Sequence, residues 1–149
     1  MLHFSERSRG DFGRLGHTDG ADVFLPRSIL PLAQYSVASV SCGDAHTLAV
    51  LSDGKVLAFG RNQNGQLGNG SLNDSLGPLA VQGLGDEQVV GAACGAEHSV
   101  VVTQRGRVYA FGWGRYGNLG IGTDVDECAS LYTSFLATGS CRCHCSGAH

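Results

Sequence analysis

From Val37 onward the chain breaks into short apolar runs, rich in valine, leucine and alanine and divided by glycine or by polar residues ending in glycine. The runs fall at 37–42, 46–51, 55–59 and 79–82, then at 88–94, 98–103 and 107–111. Ser52-Asp53-Gly54 and Gln104-Arg105-Gly106 separate the second run from the third in each set. Runs of this length with this punctuation predict strands joined by tight hairpins. No stretch sustains the spacing of an amphipathic helix.

The two sets are one pattern repeated. Gly16, Gly68 and Gly120 stand 52 residues apart. On the same phase Cys42-Gly43 recurs as Cys94-Gly95, His46 as His98, and Phe59-Gly60 as Phe111-Gly112. Asp22, Asp74 and Asp126 also share a phase, and no gap is needed from residue 11 to residue 126. Four short strands in a unit of about fifty residues predict a propeller blade. The stretch holds about 2.2 periods, so the expected fold is all-β: a partial β-propeller of about two four-stranded antiparallel blades. Propellers close with about four to eight blades, and the chain therefore reads as part of a larger protein. The loop glycines allow positive φ and close approach where the chain leaves one blade for the next. Leu15, Leu67 and Leu119 are placed to fill the gap between blades.

Three segments follow. Residues 1–10 are an off-pattern leader, 11–126 carry the repeats, and 127–149 form a divergent, cysteine-rich tail. Ser130 stands where the phase of Pro78 calls for proline, and 140–146 is too polar for a core strand. Hydrophobic content of 42% against 15% charged residues fits a packed chain, not a disordered one. The net charge of −3 gives no basic excess to suggest direct nucleic-acid binding. No apolar run approaches the ~20 residues of a membrane span. Without a secretory signal, cytoplasm or nucleus is the expected location and a disulfide framework is not expected.

Candidate chemistry is sparse. Gly112-Trp113-Gly114-Arg115-Tyr116-Gly117 matches a dinucleotide fingerprint, but that site needs a helix next, and Asn118-Leu119-Gly120-Ile121-Gly122 opposes one. His46 and His98 read as structural, their ring nitrogens bonding backbone groups within their own blades. Cys42 and Cys94 read as small buried residues. Cys141, Cys143, His144 and Cys145, with Cys128, lack the two separated pairs of a structural zinc site. No catalytic set, cofactor or metal is expected.

Cys-Gly-x-x-His, a strand ending in Phe-Gly, and Gly-x-Leu-Gly together resemble the regulator of chromosome condensation repeat family. That resemblance implies a seven-bladed propeller. The order of 11–17, 60–68, 95–98 and 112–120 is similar to the family's ultraviolet-B receptor branch, of plants and green algae, which implies a homodimer held face to face by salt bridges, with tryptophans as chromophore. Asp11, Asp22, Arg61, Glu97 and Arg115 match positions on or near that charged face, and Trp113 matches an interface aromatic. Gly16, Cys42, Gly43, His46, Gly68, Cys94, Gly95, His98 and Gly120 match the structural repeat. Asp44 and Ala96 fill the slots of the photosensing tryptophans, and Phe59 and Phe111 replace two further tryptophans. With one tryptophan in the chain, no coupled cluster forms within it. The implied function is non-enzymatic: protein–protein or homodimer contact through charged loops. The alternatives are a generic repeat scaffold or a guanine-nucleotide exchange factor acting on a small GTPase.

Overall fold

The computed structural model describes residues 9–120 and 126–133. Strands β1 (Val37–Cys42), β2 (His46–Leu51), β3 (Val56–Gly60) and β4 (Ser75–Ala80) form one sheet in that order. Strands β5 (Val89–Cys94), β6 (His98–Thr103), β7 (Val108–Gly112) and β8 (Glu127–Thr133) form the second. Every neighbouring pair is antiparallel. The second sheet repeats the first even in its irregularities. Gly60 faces Ser75 across a register shift, and Gly112 faces Glu127 across the equivalent one.

The burial pattern follows from which faces are covered. All six residues of β2 are buried, as expected of a strand packed on both sides. His46, Leu48 and Val50 point one way, toward the second sheet. Thr47, Ala49 and Leu51 point the other way. In β6 only Ser99, Val101 and Thr103 are buried. These face the first sheet, and the alternation records a strand packed on one side. The shared core runs through Leu48, Val50, Val56, Ala58, Leu67, Val89, Val101, Tyr109 and Phe111. Residues 9–35 carry two short 3-10 turns, Asp11–Gly13 and Leu30–Leu32. The first packs on β3 and β4, the second on β4.

Three expectations need correction. Cys42, expected as a small buried residue, is exposed at the end of β1. The fourth strand was expected at 79–82 but spans Ser75–Ala80 and contains Pro78. It lies at the sheet edge, where proline costs no ladder bond. Its counterpart β8 runs past the boundary expected at Asp126, pairing Leu131 with Ala110 just as Leu79 pairs with Ala58. Edge pairing is made by backbone groups, so Ser130 in place of proline does not end it. Residues 1–8 and the tail cluster Cys141, Cys143, His144 and Cys145 lie outside the described residues.

Candidate functional site

The long β3–β4 and β7–β8 loops and the β1–β2 and β5–β6 turns share one end of the sheets, because Gly60 pairs with both His46 and Ser75. Each long loop is folded around one carboxylate. Asp22 Oδ1 accepts from the Gly10 N–H at 2.9 Å, Asp74 Oδ1 from Asn62 at 2.8 Å, and Asp126 Oδ1 from Gly114 at 2.9 Å. Asp22, which resemblance put on a charged face, thus holds its own loop closed. In the middle loop Asn62 is fully buried and donates to Asn69 Oδ1 and the Ser71 carbonyl, while its oxygen accepts from Leu67 N–H.

The loops are seated on the next blade by bare backbone. A Cβ on Gly68 (φ +60°) would lie 2.7 Å from the Phe111 ring, and one on Gly16 (φ +72°) 2.9 Å from Phe59. Gly120 shares the conformation, at φ +67°. Leu67 and Leu119 are buried beside these glycines, with Leu15 half-buried.

His46 departs from its expected role. Its ring lies against Gly43, where an added Cβ would come within 2.6 Å of Nδ1. Its Nε2 lies 2.9 Å from Ser99 Oγ on the neighbouring blade, not on a backbone group of its own. Ser99 Oγ donates to the Gln66 carbonyl at 2.8 Å. The hydroxyl proton is thus committed, so Nε2 carries the imidazole proton and Nδ1 is left as a buried acceptor with no partner among the described residues. Burial, with the nearby His98, holds its pKa down to about 4, against a smaller pull from Asp44. Cys94 is part of the same junction: its N–H donates to Ser41 Oγ at 3.0 Å and its thiol to the Ser41 carbonyl at 3.4 Å. Burial pushes that thiol up to about 11, so at neutral pH it is no thiolate nucleophile.

The charged surface centres on Arg61. Its Nη1 meets Glu97 Oε1 at 3.0 Å, joining the middle loop to the β5–β6 turn, and its Nη2 donates to Gln63 Oε1 at 2.9 Å. Arg14 donates to the Asp44 carbonyl at 2.9 Å and pairs with Asp11 at 3.4 Å. Both guanidiniums lie over the Phe12 ring, at 5.5 Å for Arg61 and 5.9 Å for Arg14. Phe12 is itself 43% exposed and has φ +59°, a left-handed conformation that side chains rarely take. On the third loop Trp113 meets Tyr116 edge to face, centroids 4.9 Å apart, with Tyr116 81% exposed and Arg115 exposed beside it. The structure therefore brings Asp11, Arg61 and Glu97 together around Phe12 and Arg14, and leaves Trp113 and Arg115 on a separate loop. Sequence reasoning passed over Phe12 and Arg14. Their signal was the phase shared by Phe12 and Tyr116.

Among the described residues no group of His, Cys, Asp or Glu is placed to hold a metal, and no helix is long and apolar enough to cross a membrane. Among the described residues Gly112 through Gly120 forms turns and no helix, so the dinucleotide fingerprint itself lies in a loop.

The regulator of chromosome condensation (RCC1) repeat model matches residues 9–50, 53–102 and 105–132. The chain belongs to the RCC1 repeat family. Its relatives include the ultraviolet-B receptor UVR8 of Arabidopsis thaliana, 49% identical over 79% of this chain and 27% of that protein. A second is the RCC2 homolog of Danio rerio, 41% identical over 78% of this chain and 23% of the relative. The chain thus spans about a quarter of the length of these curated relatives. Among solved structures it superposes on Prp20p of Saccharomyces cerevisiae with a TM-score of 0.77 at 23% identity, over 89% of this chain and 34% of that one. Prp20p is described with its binding to Gsp1p and histones. The RCC1 architecture makes this chain a partial β-propeller, with the 60–75 loop and residues 112–120 at one end of two adjacent blades.

Proposed function

We propose that these RCC1 blades act by binding protein, through the loop end that carries Phe12, Arg14, Arg61 and Glu97. The observation that carries the reading is how that surface is built. Part-buried aspartate–backbone bonds and bare glycine contacts fix the loops, which leaves arginine, glutamate and aromatic side chains displayed at fixed positions. Arginine and aromatic residues dominate the energetics of protein interfaces. The similarity to UVR8 supports a receptor-like role in a longer protein, with the charged loops meeting a second copy. Catalysis has no part in this reading.

The test compares two chains by size-exclusion chromatography, before and after ultraviolet-B irradiation. In a longer protein containing these blades, Arg61→Ala should weaken the dark association while leaving a folded protein. In the 149-residue chain, irradiation should change no oligomeric state, because Trp113 has no second tryptophan with which to couple. Light-driven dissociation of the short chain, or an association indifferent to Arg61, would contradict the reading.

A further inference from the structure

The loop between β3 and β4 contains two Asn-Gly steps, Asn64-Gly65 and Asn69-Gly70. The repeat does not call for the second, whose counterparts are His17-Thr18 and Ile121-Gly122. An asparagine before glycine is open to attack on its own side chain, because glycine has no Cβ to keep its nitrogen from the amide carbon. Folded order then decides the outcome. It hinders the attack where it ties up the nitrogen, and helps where it steadies the oxygen on which charge develops.

The two steps differ on both counts. The Gly65 N–H is committed to the Asn62 carbonyl at 2.9 Å, and Gly65 is buried. Gly70 is exposed, and its N–H bonds no described residue. Asn69 Oδ1 accepts from three donors: Asn62 Nδ2 at 3.0 Å, the Ser71 N–H at 3.1 Å and the Ser71 hydroxyl at 3.1 Å. Asn62 is fully buried and anchored in turn by the Ser71 carbonyl and the Leu67 N–H, so its donor is fixed in place. Such a set of donors around one amide oxygen is what an oxyanion hole supplies to acyl transfer. Its bonds strengthen as the oxygen gains charge.

We propose that Asn69-Gly70 is a site of spontaneous covalent modification, at which the folded loop promotes its own deamidation. The Gly70 nitrogen gives its proton to water and bonds to Asn69 Cγ, and the carbonyl π pair moves onto Oδ1 beneath the three donors. As the pair returns, the Cγ–Nδ2 bond breaks and Nδ2 leaves as ammonia, taking a proton from water. The five-membered imide then adds water at one of its two carbonyls. Opening at Cγ gives aspartate, whose charge tightens the same three bonds. Opening at the main-chain carbonyl gives isoaspartate, which routes the backbone through Cβ and Cγ and lengthens it by one methylene. In that product the loop that carries Arg61 loses its Asn62–Asn69 tie.

The test incubates the whole chain, folded and in urea, at mildly alkaline pH in water enriched in heavy oxygen. Peptide mapping by mass spectrometry follows both Asn-Gly steps. In urea the two have the same following residue and should react at comparable rates. In the folded chain Asn69 should react about tenfold faster than Asn64, take up one heavy oxygen per event and give both aspartate and isoaspartate. Ser71→Ala keeps the N–H donor and removes the hydroxyl, and should slow Asn69 by about fivefold, the scale of one hydrogen bond. A loop whose order only protects its asparagines gives the reverse, a faster Asn69 in Ser71→Ala, and that result overturns the proposal. Two results on the unsubstituted chain overturn it as well: equal rates at 64 and 69 when folded, or an Asn69 that reacts more slowly folded than in urea.

Discussion

His46 Nε2 reaches Ser99 Oγ at 2.9 Å across 53 residues of chain and the gap between two blades. Repeats that share only local hairpin contacts would slide on one another. This bond, the Ser99–Gln66 bond behind it and the aromatic seat of Gly68 fix one repeat at one place on the next.

Acid should loosen this junction. His46 has its pKa held down to about 4 in the folded chain, against an ordinary value of 6.5. Between those values the unfolded chain takes up a proton that the folded chain does not. The stability from neutral His46 is therefore complete above pH 6.5, falls as the pH drops toward 4, and is constant below that. The steepest slope is ~1.4 kcal/mol per pH unit and the whole loss is roughly 3 kcal/mol. Burial lowers His98 in the same direction, so the informative quantity is a difference. Urea unfolding at stepped pH should show His46→Gln less acid-sensitive than the parent chain, and equal slopes would contradict the assignment.

Gly68 and Gly85 separate conformation from contact. Both have positive φ, +60° and +57°, but a Cβ on Gly85 meets nothing within 4 Å while one on Gly68 strikes the Phe111 ring. Gly85→Ala should destabilise by about 1 kcal/mol, the strain of a left-handed alanine. Gly68→Ala should reach about 3 kcal/mol or more as strain and overpacking combine. Thermal melts of the pair decide it, and equal losses would mean that the aromatic seat is not close-packed.

Arg61→Ala should affect folding only modestly. The pair with Glu97 is about one-third exposed on both sides, and such pairs contribute about 0–1 kcal/mol, with ~0.5–1 more from the exposed contact with Phe12. The loss should therefore stay below about 2 kcal/mol and shrink in high salt. A larger, salt-insensitive loss in urea unfolding would make Arg61 a folding residue.

Much of this was legible in the sequence because a propeller repeats its backbone. Val37–Cys42, His46–Leu51 and His98–Thr103 fall where the apolar runs place them. The outer strands β4 and β8 were harder, because an edge strand needs no apolar face and Pro78 masks its start. The partner of His46 was misread because a repeat invites pairing within itself. The clue was the hydroxyl that follows each histidine, Thr47 and Ser99. The cluster around Phe12 was only partly legible: the phase shared with Tyr116 marks the position, but nothing in a phenylalanine announces its left-handed φ.

The most direct test of the blade junction is a double-mutant cycle on His46 and Ser99, using His46→Phe, Ser99→Ala and the pair, each unfolded in urea at neutral pH. Residues in contact couple by ~0.5–3 kcal/mol, while independent sites add within ~0.5. The account predicts that Ser99→Ala destabilises by about 1–3 kcal/mol through the orphaned imidazole and the Gln66 carbonyl, and that much of this loss disappears when His46 is already phenylalanine. Strict additivity would contradict it, leaving the two repeats adjacent but not joined through this pair.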